Sequence, residues 1–359
     1  LWTSNYERTK RIMAFTTINN GSLYMNTKLY TGNGSTNNIT GVGFQPDWVW
    51  TKCRSTVNSH RLIDAVRGVT KAIVSNSTGA EFTETNGLSA FGSDGYTLNG
   101  NLASMNTNSD TYVSWNWKAG TAVSGNTGGS GTYKTYTGSV NTTSGFSIIK
   151  YTGNGTAGHT IPHHLGAAPT FRITKRLNSV SDWPIYNEVL GNTKEIKFTT
   201  TAAGTTTNYW NSTSPNATNF TLGTNGISNE NDSEFISYNF TPIQGYSKFG
   251  SYIGNGSTDG TFVYTGFKPA FVMAKYTSGA GEDWKMMDSK RNPSNVTNKI
   301  LAANTNVAEA TSSYLDLLSN GFKIRSTTGS LNNSGGSYIY MAFAEAPLVG
   351  TNNVPANAR

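Results

Sequence analysis

The chain has 359 residues, of which only 13% are charged and 12% are aromatic, and glycine, asparagine, serine and threonine dominate the remainder. This composition favours short strands joined by Gly and Asn turns over helices, and the aromatic content argues against a disordered chain. The formal net charge of +7 is compatible with an anionic partner. No run of five basic residues marks a nucleic-acid-binding segment, so a mildly basic surface is the simpler interpretation and we expect no nucleic-acid partner.

Cysteine usage and hydropathy exclude further classes of protein. The single cysteine, Cys53, rules out an intrachain disulfide and a cysteine-based zinc or iron–sulfur site. No apolar stretch approaches the roughly 20 residues that span a bilayer, so we expect no membrane insertion. The opening "LWTSNYERTKRIM" lacks the apolar segment of a signal peptide, and the sequence leaves open whether Leu1 or Met13 lies at the natural start.

Five short motifs recur three times in the same order. Each copy begins with a tyrosine and a Gly-Asn-Gly turn, continues with a strand in which a lysine follows a proline by six residues, and ends on an aromatic strand. A unit of about one hundred residues is too long for a solenoid repeat and suits a small domain. In the first copy the motifs are "YTGNGS" (30–35), "GFQPDWVWTK" (43–52), "SHRLIDAVRG" (59–68), "SDGYTL" (93–98) and "TYVSWNWKAG" (111–120). In the second they are "YTGNGT" (151–156), "LGAAPTFRITK" (165–175), "SDWPIYNEVLG" (181–191), "ATNFTL" (217–222) and "EFISYNFTPI" (234–243). In the third they are "YIGNGS" (252–257), "GFKPAFVMAK" (266–275), "EDWKMMDSKR" (282–291), "SNGFKI" (319–324) and "SYIYMAFAEAP" (337–347).

The pattern inside each copy predicts strands. In residues 112–117, Val and Trp alternate with Tyr, Ser and Asn, which is the period of two of a strand packed on one face. The strongest helix candidate, residues 306–321, also fits a turn before a strand, and we predict mostly strand there. We therefore predict an all-β protein of three tandem antiparallel β-sandwich domains, each able to fold alone. The predicted bounds are an N-terminal arm at 1–27, sandwiches at 28–121, 132–244 and 245–348, a flexible Gly/Ser linker at 122–131 and a C-terminal tail at 349–359.

The tripled tyrosine motif has two interpretations. Its glycines and asparagine supply the positive-φ positions that a tight turn requires. A scaffold built three times needs the same turn three times, whereas a loop selected for one ligand does not. We favour a turn over a binding loop, with three weak binding sites as the alternative.

The chain carries little that indicates catalysis. Of the four histidines, His159, His163 and His164 crowd into one segment, but no cysteine or carboxylate lies in that stretch to complete a metal site. There is no nucleophile elbow and no phosphate-binding loop, and the acidic clusters at 229–234 and 281–284 lack a paired partner. We therefore predict no enzyme activity, no cofactor and no metal.

Aromatic side chains are the remaining candidates for recognising a ligand. Trp183 and Trp284 occupy matching positions in two copies, which is typical of core anchors. Tyr209 and Trp210 stand in the polar stretch "TTNYWNSTSPN", where an exposed pair could stack on a sugar ring. The alternative is that this pair caps a sandwich or contacts a neighbouring subunit.

The repeated motifs resemble a known family. The series Y-T-G-N-G-S, G-F-x-P-x-x-V-x-x-K, R-G-V-T-K, F-G-S-D-G-Y-T-L and Y-V-x-W-N-W-K-A resembles the repeat-containing virion structural proteins of marine tailed bacteriophages, including cyanophages. The resemblance covers nearly everything from Met13 to Arg359 and implies concanavalin-like, jelly-roll-type sandwiches in a tail fibre, appendage or other virion component. It brings no catalytic residues. The second copy departs from the pattern, with "HHLGAAP" for the G-F-x-P strand and "YNF" (238–240) for "WNW" (115–117).

These observations lead to two functional expectations. The first is a non-enzymatic fibre or appendage protein on the virion surface that contacts host-envelope glycan, with Tyr209 and Trp210 near its exposed end. The second is a capsid-decorating or other structural protein that binds only virion subunits. The resemblance implies a homotrimer, and we expect the arm at 1–27 to attach it to the particle.

Overall fold

The computed structural model describes residues 16–202, 204–350 and 355–357, with all their side chains except that of Ser313. Three segments of the chain fold into three similar sets of strands, which we call units 1, 2 and 3. Unit 1 contains a short 3-10 helix (Gly21–Leu23) and strands β1 (Met25–Thr31), β2 (Asn37–Thr40), β3 (Trp48–Cys53), β4 (Arg61–Asp64), β5 (Lys71–Ala72), β6 (Phe82–Thr83), β7 (Leu88–Gly92), β8 (Gly95–Leu98) and β9 (Thr111–Trp117). Unit 2 contains β10 (Thr121–Asn126), β11 (Gly128–Gly129), β12 (Thr135–Asn141), β13 (Phe146–Thr152), β14 (His159–Pro162), β15 (Phe171–Arg176), β16 (Pro184–Asn187), β17 (Lys194–Lys197), β18 (Thr205–Thr206), β19 (Asn219–Leu222), helix α1 (Gly226–Asn229) and β20 (Glu234–Phe240). Unit 3 contains β21 (Ser247–Ile253), β22 (Phe262–Tyr264), β23 (Phe267–Tyr276), β24 (Lys285–Asp288), β25 (Thr297–Ala302), β26 (Ala310–Leu318), β27 (Gly321–Ile324), helix α2 (Gly329–Asn332) and β28 (Ser337–Pro347).

The same sheet recurs in each unit. Its strand order is β1-β9-β3-β4 in unit 1, β13-β20-β15-β16 in unit 2 and β21-β28-β23-β24 in unit 3. A second, smaller sheet pairs β2-β8-β7, β14-β19 and β22-β27-β26, and the pairings are antiparallel. We call the first the inner sheet and the second the outer sheet. The prediction of an all-β, antiparallel protein is confirmed, as is the strand rather than helix at 310–318.

The inner sheets are buried on both faces. In β3, Trp48 and Trp50 point to one hydrophobic cluster, while Val49 between them packs against the outer sheet of unit 1 in another. A strand covered on both sides needs apolar side chains in succession, which explains the run "WVW".

The largest hydrophobic cluster belongs to all three units. Trp48, Phe171 and Phe271, each two residues after the repeated proline, lie in it together. The Phe343 ring of unit 3 lies with its centroid 5.9 Å from those of both Trp117 of unit 1 and Phe240 of unit 2. The prediction that each unit is able to fold alone does not account for this shared cluster, because every inner sheet presents a second apolar face that only the other two units cover. Residues 132–244 alone would expose that face.

Backbone hydrogen bonds close the three units into a ring. The amide of Asn58 in unit 1 donates to Asn306 O of unit 3, at 2.9 Å. At the corresponding positions, Ser181 N of unit 2 donates to Thr78 O of unit 1, at 2.8 Å, and Gly281 N of unit 3 donates to Thr201 O of unit 2, at 3.1 Å. Each unit thus contacts both others, and the arrangement has a pseudo-threefold axis through the shared core.

Two predicted boundaries need correction. The predicted flexible linker at 122–131 forms β10 and β11 instead, and β10 pairs with β12 to extend the inner sheet of unit 2. Ladder hydrogen bonds come from the backbone, so a Gly/Ser-rich segment can form a strand. Gly125 is opposite Tyr136 in this pairing, and the absence of a side chain leaves room for the Tyr136 ring.

The predicted arm is also shorter than expected. Strand β1 begins at Met25, inside the predicted range 1–27, and its residues pair with β9. Before it, the backbone of Gly21 lies against the carbonyl of Ala344 in β28, and the rings of Tyr24 and Tyr246 are 5.9 Å apart. The part of the arm at 1–15 and most of the tail at 349–359 lie outside the described residues.

Candidate functional site

The predicted sugar platform is not exposed. Tyr209 is 6% exposed and Trp210 is fully buried, and both belong to the core between the two sheets of unit 2. The prediction that this pair is exposed is therefore wrong. The alternative, that these rings cap the sandwich, agrees with their burial. Trp210 Nε1 donates to Lys194 O at 3.0 Å, so its polar atom is also satisfied inside the protein.

Trp210 has a partner that the sequence did not indicate. The buried guanidinium of Arg172 lies 4.2 Å from the Trp210 ring centroid and 3.8 Å from that of Phe220. Burial lowers the pKa of Arg172 to about 10. Cation–π contacts of this kind compensate part of the cost of burying a charge. Trp210 therefore serves the core of unit 2.

The repeated tyrosine motif is a locked turn. Tyr30, Tyr151 and Tyr252 stack on the aromatic residue opposite them in the inner sheet, with interplanar angles of 14°, 13° and 7°. The prediction that both glycines and the asparagine have positive φ is confirmed only for the second glycine, with +68° at Gly34, +70° at Gly155 and +69° at Gly256.

A single asparagine per unit, which the sequence did not single out, holds each of these turns. In unit 2, Asn229 Oδ1 accepts from Asn154 N at 3.1 Å, and Asn229 Nδ2 donates to Gly223 O at 2.7 Å and to Thr156 O at 3.0 Å. Asn106 and Asn332 make the corresponding contacts in units 1 and 3. These contacts account for the motif without a ligand.

The three histidines at 159–164 make separate hydrogen bonds to different partners. His159 lies between Asn229 Oδ1 and Thr127 Oγ1, at 2.8 and 2.7 Å, whereas His163 Nε2 contacts Asn216 O at 3.0 Å. His164 Nε2 contacts the Tyr136 hydroxyl at 2.8 Å. Within the described part of the chain, no three His, Cys, Asp or Glu side chains are grouped so that they could hold a metal ion.

The repeated lysines lie at the contacts between units. Lys175 Nζ of unit 2 donates to Thr78 O of unit 1 at 3.3 Å, and Lys275 Nζ of unit 3 donates to Thr201 O of unit 2 at 3.1 Å. Lys52 is equally buried but donates to its neighbour Cys53 O, at 2.7 Å. Burial lowers the pKa of all three ammonium groups to about 8.

Buried ion pairs lie at two of the three junctions. In unit 3, Arg291 contacts Asp288 at 2.6 Å and Glu309 at 3.3 Å, and Trp115 Nε1 of unit 1 donates to Asp288 Oδ2 at 3.1 Å. In unit 1, Arg67 and Asp64 form the same pair at 2.5 Å, and the Tyr238 hydroxyl of unit 2 donates to Asp64 at 2.8 Å.

Unit 2 has no charge at the corresponding positions. Register places Asn187 and Leu190 where units 1 and 3 have the aspartate and arginine. Lys175, Lys275 and the two buried aspartates contact a neighbouring unit directly, so they serve assembly of the ring.

A pair of exposed aromatic rings marks unit 3. Phe262 and Tyr264, on the edge strand β22, are 44% and 47% exposed, while Val263 between them is buried. The outer-sheet register places Asn38 and Thr40 of unit 1, and Thr160 and Pro162 of unit 2, at the same two positions. The fold therefore does not require aromatic rings there, which makes this pair a candidate contact surface.

Tyr264 lines a groove of about 310 Å³ between the end of unit 2 and the start of unit 3. Lys248 lies beside it, with Nζ 5.3 Å from the ring centroid and donating to Tyr264 O at 2.8 Å. The exposed Gln244 adds an amide that can donate and accept hydrogen bonds. The remaining lining residues are Pro242, Gly245, Ser247, Thr265 and Gly266. We call this the Tyr264 groove.

Sequence reasoning missed this groove although a signal existed. The stretch "GTFVYTGF" alternates aromatic and aliphatic residues, and its two counterparts, "NNITGVGF" and "HTIPHHLG", have no aromatic residue before the final Phe or Leu. Comparing the copies position by position would have singled out Phe262 and Tyr264.

A larger groove, of about 550 Å³, lies between unit 1 and the β10–β12 hairpin of unit 2. Asp47 lines it, and Asp47 Oδ2 accepts from Ala119 N at 2.8 Å. Burial raises the pKa of Asp47 to about 6. None of the lining residues is aromatic, so this groove lacks the stacking surface of the Tyr264 groove.

Comparison with known proteins gives a family for the chain. Residues 20–347 match the model of a family described as a domain of unknown function, DUF7483. The chain belongs to the DUF7483 family. The match to DUF7483 runs from the 3-10 helix before β1 to the last residue of β28, so it spans all three units of the ring.

No curated protein and no solved structure matches the chain. Among the described residues, no helix is long and apolar enough to cross a membrane.

Proposed function

We propose that this DUF7483 protein is a non-enzymatic component of a bacteriophage virion surface, of fibre or appendage type, that contacts host-envelope glycan through the Tyr264 groove. The motif resemblance supports the virion assignment. The exposed rings of Phe262 and Tyr264, present in unit 3 and replaced in units 1 and 2, support the binding surface and carry the proposal.

The chemistry of the groove suits a saccharide. A sugar ring has an apolar face that stacks on an aromatic side chain and hydroxyl groups that need hydrogen-bond partners at its edge. Tyr264 supplies the ring, while Gln244 and Lys248 supply donors within the same groove. An edge strand at the periphery of the molecule leaves this surface open to a large ligand.

Binding of purified protein to immobilised bacterial O-chain and capsular oligosaccharides tests the proposal. The informative variants are Phe262→Asn and Tyr264→Thr, because unit 1 already carries these residues at the same positions and folds with them. We expect Tyr264→Thr to weaken binding by about tenfold, the effect of losing one aromatic stack of roughly 1.5 kcal/mol, and Phe262→Asn to weaken it less, because Phe262 does not line the groove.

Tyr133, which is 62% exposed in unit 2, provides the matched control. Tyr133→Ala should leave glycan binding unchanged. If wild-type protein binds no glycan of the panel, or if the variants and the control behave alike, the glycan-contact function fails.

A second candidate, a capsid-decorating protein that binds only virion subunits, is favoured by the ring. Three similar units around one axis present three similar surfaces, which suits a position where three equivalent subunits meet. Electron cryomicroscopy of the intact particle separates the two. Density on the capsid shell alone would support decoration, and density on the tail would support the fibre.

The homotrimer that the resemblance implies remains part of the proposal. Partner chains would pack through the outer surfaces, because three units of one chain already fill the central aromatic core. Light scattering on the purified protein measures the mass, and a monomer at micromolar concentration would remove the trimer from the proposal.

A further inference from the structure

Lys248 and Lys290 are the two surface lysines of unit 3 that form no salt bridge within the described residues, and Lys248 is the one that lines the Tyr264 groove. No salt bridge within the described residues involves Lys248, and its ammonium donates to a backbone carbonyl instead. Four other lysines of this unit pair with carboxylates: Lys268 with Glu345, Lys285 with Asp283, Lys299 with Glu309, and Lys323 with Asp259. The ammonium of Lys248 keeps donor capacity free for a ligand, since one of its three N–H groups is used in that contact.

The groove around Lys248 contains no compensating negative charge. Its lining residues, from Pro242 to Gly266, include a ring, an amide and hydroxyl groups but no Asp or Glu. Lys248 is half-buried, and burial lowers the pKa of its ammonium. A partly desolvated cation gains more from an anion than a fully hydrated one, because charges interact more strongly at lower dielectric.

The ammonium of Lys248 also lies close to the Tyr264 ring. Lys248 Nζ lies 5.3 Å from the Tyr264 ring centroid, a cation–π distance, so a ligand that contacts the exposed ring lies close to the ammonium. At the equivalent inner-sheet positions, unit 1 has Asn26 and unit 2 has Ser147. A cation at this position next to an exposed ring is thus particular to unit 3, whereas the cation of the corresponding unit 1 groove, Lys28, has no such ring beside it.

We propose that the Tyr264 groove selects acidic saccharides, with the carboxylate of a uronic or keto-acid sugar on Lys248 Nζ and the sugar ring on Tyr264. The inference rests on the proposed glycan function and deepens it by naming the ligand class. A charge-assisted hydrogen bond is stronger than a neutral one, so an acidic sugar should bind about tenfold more tightly than its neutral counterpart.

Calorimetry with a matched pair of ligands tests the preference. The probes are uronate and keto-acid oligosaccharides and the same compounds with their carboxyl groups converted to methyl esters, which keep the rings and remove the charge. We expect wild-type protein to prefer the acids by about tenfold at physiological salt and to lose part of this preference as salt rises.

Three variants test whether the charge of Lys248 causes the preference for acidic sugars. Lys248→Met should abolish the preference while the esters still bind, and Lys248→Arg should retain it. Lys28→Met removes the same charge from a groove of unit 1 lined by Asn26, Lys28 and Gly41 and should change nothing.

The outcomes separate this inference from the proposed function. Equal binding of acids and esters, with Tyr264→Thr still weakening both, overturns the acidic-sugar inference and leaves glycan contact standing. Equal effects of Lys248→Met and Lys28→Met would mean that the overall positive charge attracts the acids and would also overturn it. No binding of acids, esters or the neutral panel overturns both.

Discussion

At the scale of single residues, buried polar side chains decide the local geometry of this protein. Asn229 is fully buried, and its amide satisfies three backbone groups from two segments of unit 2. A side chain that saturates several buried backbone groups is costly to remove, because each group left without a partner costs about 1–3 kcal/mol.

Replacing Asn229 by alanine should lower the free energy of unfolding by roughly 3 kcal/mol or more. The carbonyls of Thr156 and Gly223 would lose their donor and Asn154 N its acceptor. Denaturant titration followed by circular dichroism measures the change. Asn231→Ala, at an exposed position two residues on, is the control and should change stability by less than about 0.5 kcal/mol. Equal stability of the two variants would contradict the role of Asn229.

The three buried lysines predict a pH dependence of stability. Their pKa of about 8 in the folded protein lies below the ordinary value of 10.5, so the unfolded chain binds more protons between these two values. Stability should therefore rise with pH from about 8 towards 10. Unfolding titrations of wild type and Lys275→Met between pH 7.5 and 9.5 measure the slope, which should be smaller in the variant. An identical slope would mean that Lys275 keeps its ordinary pKa.

Residue-scale features divide into those that the sequence predicts and those that it does not. The positive φ of Gly34 follows from its place in a Gly-Asn-Gly turn and was predictable. Asn229 was not, because its partners come from segments up to 75 residues away and nothing local marks it. The exposure of Tyr209 and Trp210 was misjudged because a polar neighbourhood in sequence says little about what covers a ring in space.

At the scale of elements, the β10–β12 hairpin shows how composition can mislead. Its residues are mostly exposed and small, yet β10 is paired with β12 along its whole length. The alternation of apolar and polar residues predicted β9, but β10 lacks that pattern because only Val123 of its residues packs against a core. A strand held mainly by backbone contacts leaves little trace in the sequence.

Limited proteolysis distinguishes this strand from the flexible linker that composition suggests. Wild-type protein should resist cleavage within 121–126, whereas the double variant Val123→Pro/Ser124→Pro should be cut there. Adjacent residues point their N–H groups to opposite sides, so one of the two prolines must remove a ladder hydrogen bond. Val180→Pro, in an exposed loop outside the strands, is the control and should not alter the pattern. Cleavage of wild-type protein within 121–126 would contradict the strand.

At the scale of the whole molecule, the ring depends on apolar packing at its centre and on polar contacts at its junctions. The repeats predicted three similar units, but a repeated sequence does not say whether similar faces meet one another. The signals for the ring were the consecutive apolar residues of the inner strands and the tripled lysine, both of which also fit separate domains.

The junction that Arg291 supports should be sensitive to its loss. Arg291→Leu leaves Asp288 buried without its cation and should cost about 3–5 kcal/mol of unfolding free energy. Glu309 keeps Arg54 and Lys299 as partners. The double variant Asp288→Asn/Arg291→Leu recreates the residues of unit 2, Asn187 and Leu190, and should recover part of that loss. Thermal or chemical unfolding measures both. If the double variant is as unstable as the single one, the unpaired aspartate is not the cause.

The closure of the ring makes the position of the chain ends arbitrary. The backbone enters unit 1 at Gly21, directly against Ala344 near the end of the last strand, so a short peptide could join the end of unit 3 to the start of unit 1. Opening the chain instead in the exposed loop between Thr132 and Tyr133 would give a new covalent order of β12 to β20 of unit 2, then units 3 and 1, and finally β10 and β11. We expect this circular permutant to fold with the same circular dichroism spectrum and the same glycan preference as the parent. In three separate domains arranged in a row, the new peptide would join two ends that the fold does not bring together. The folded chain is therefore close to cyclic, and its two ends could lie in any of several equivalent loops.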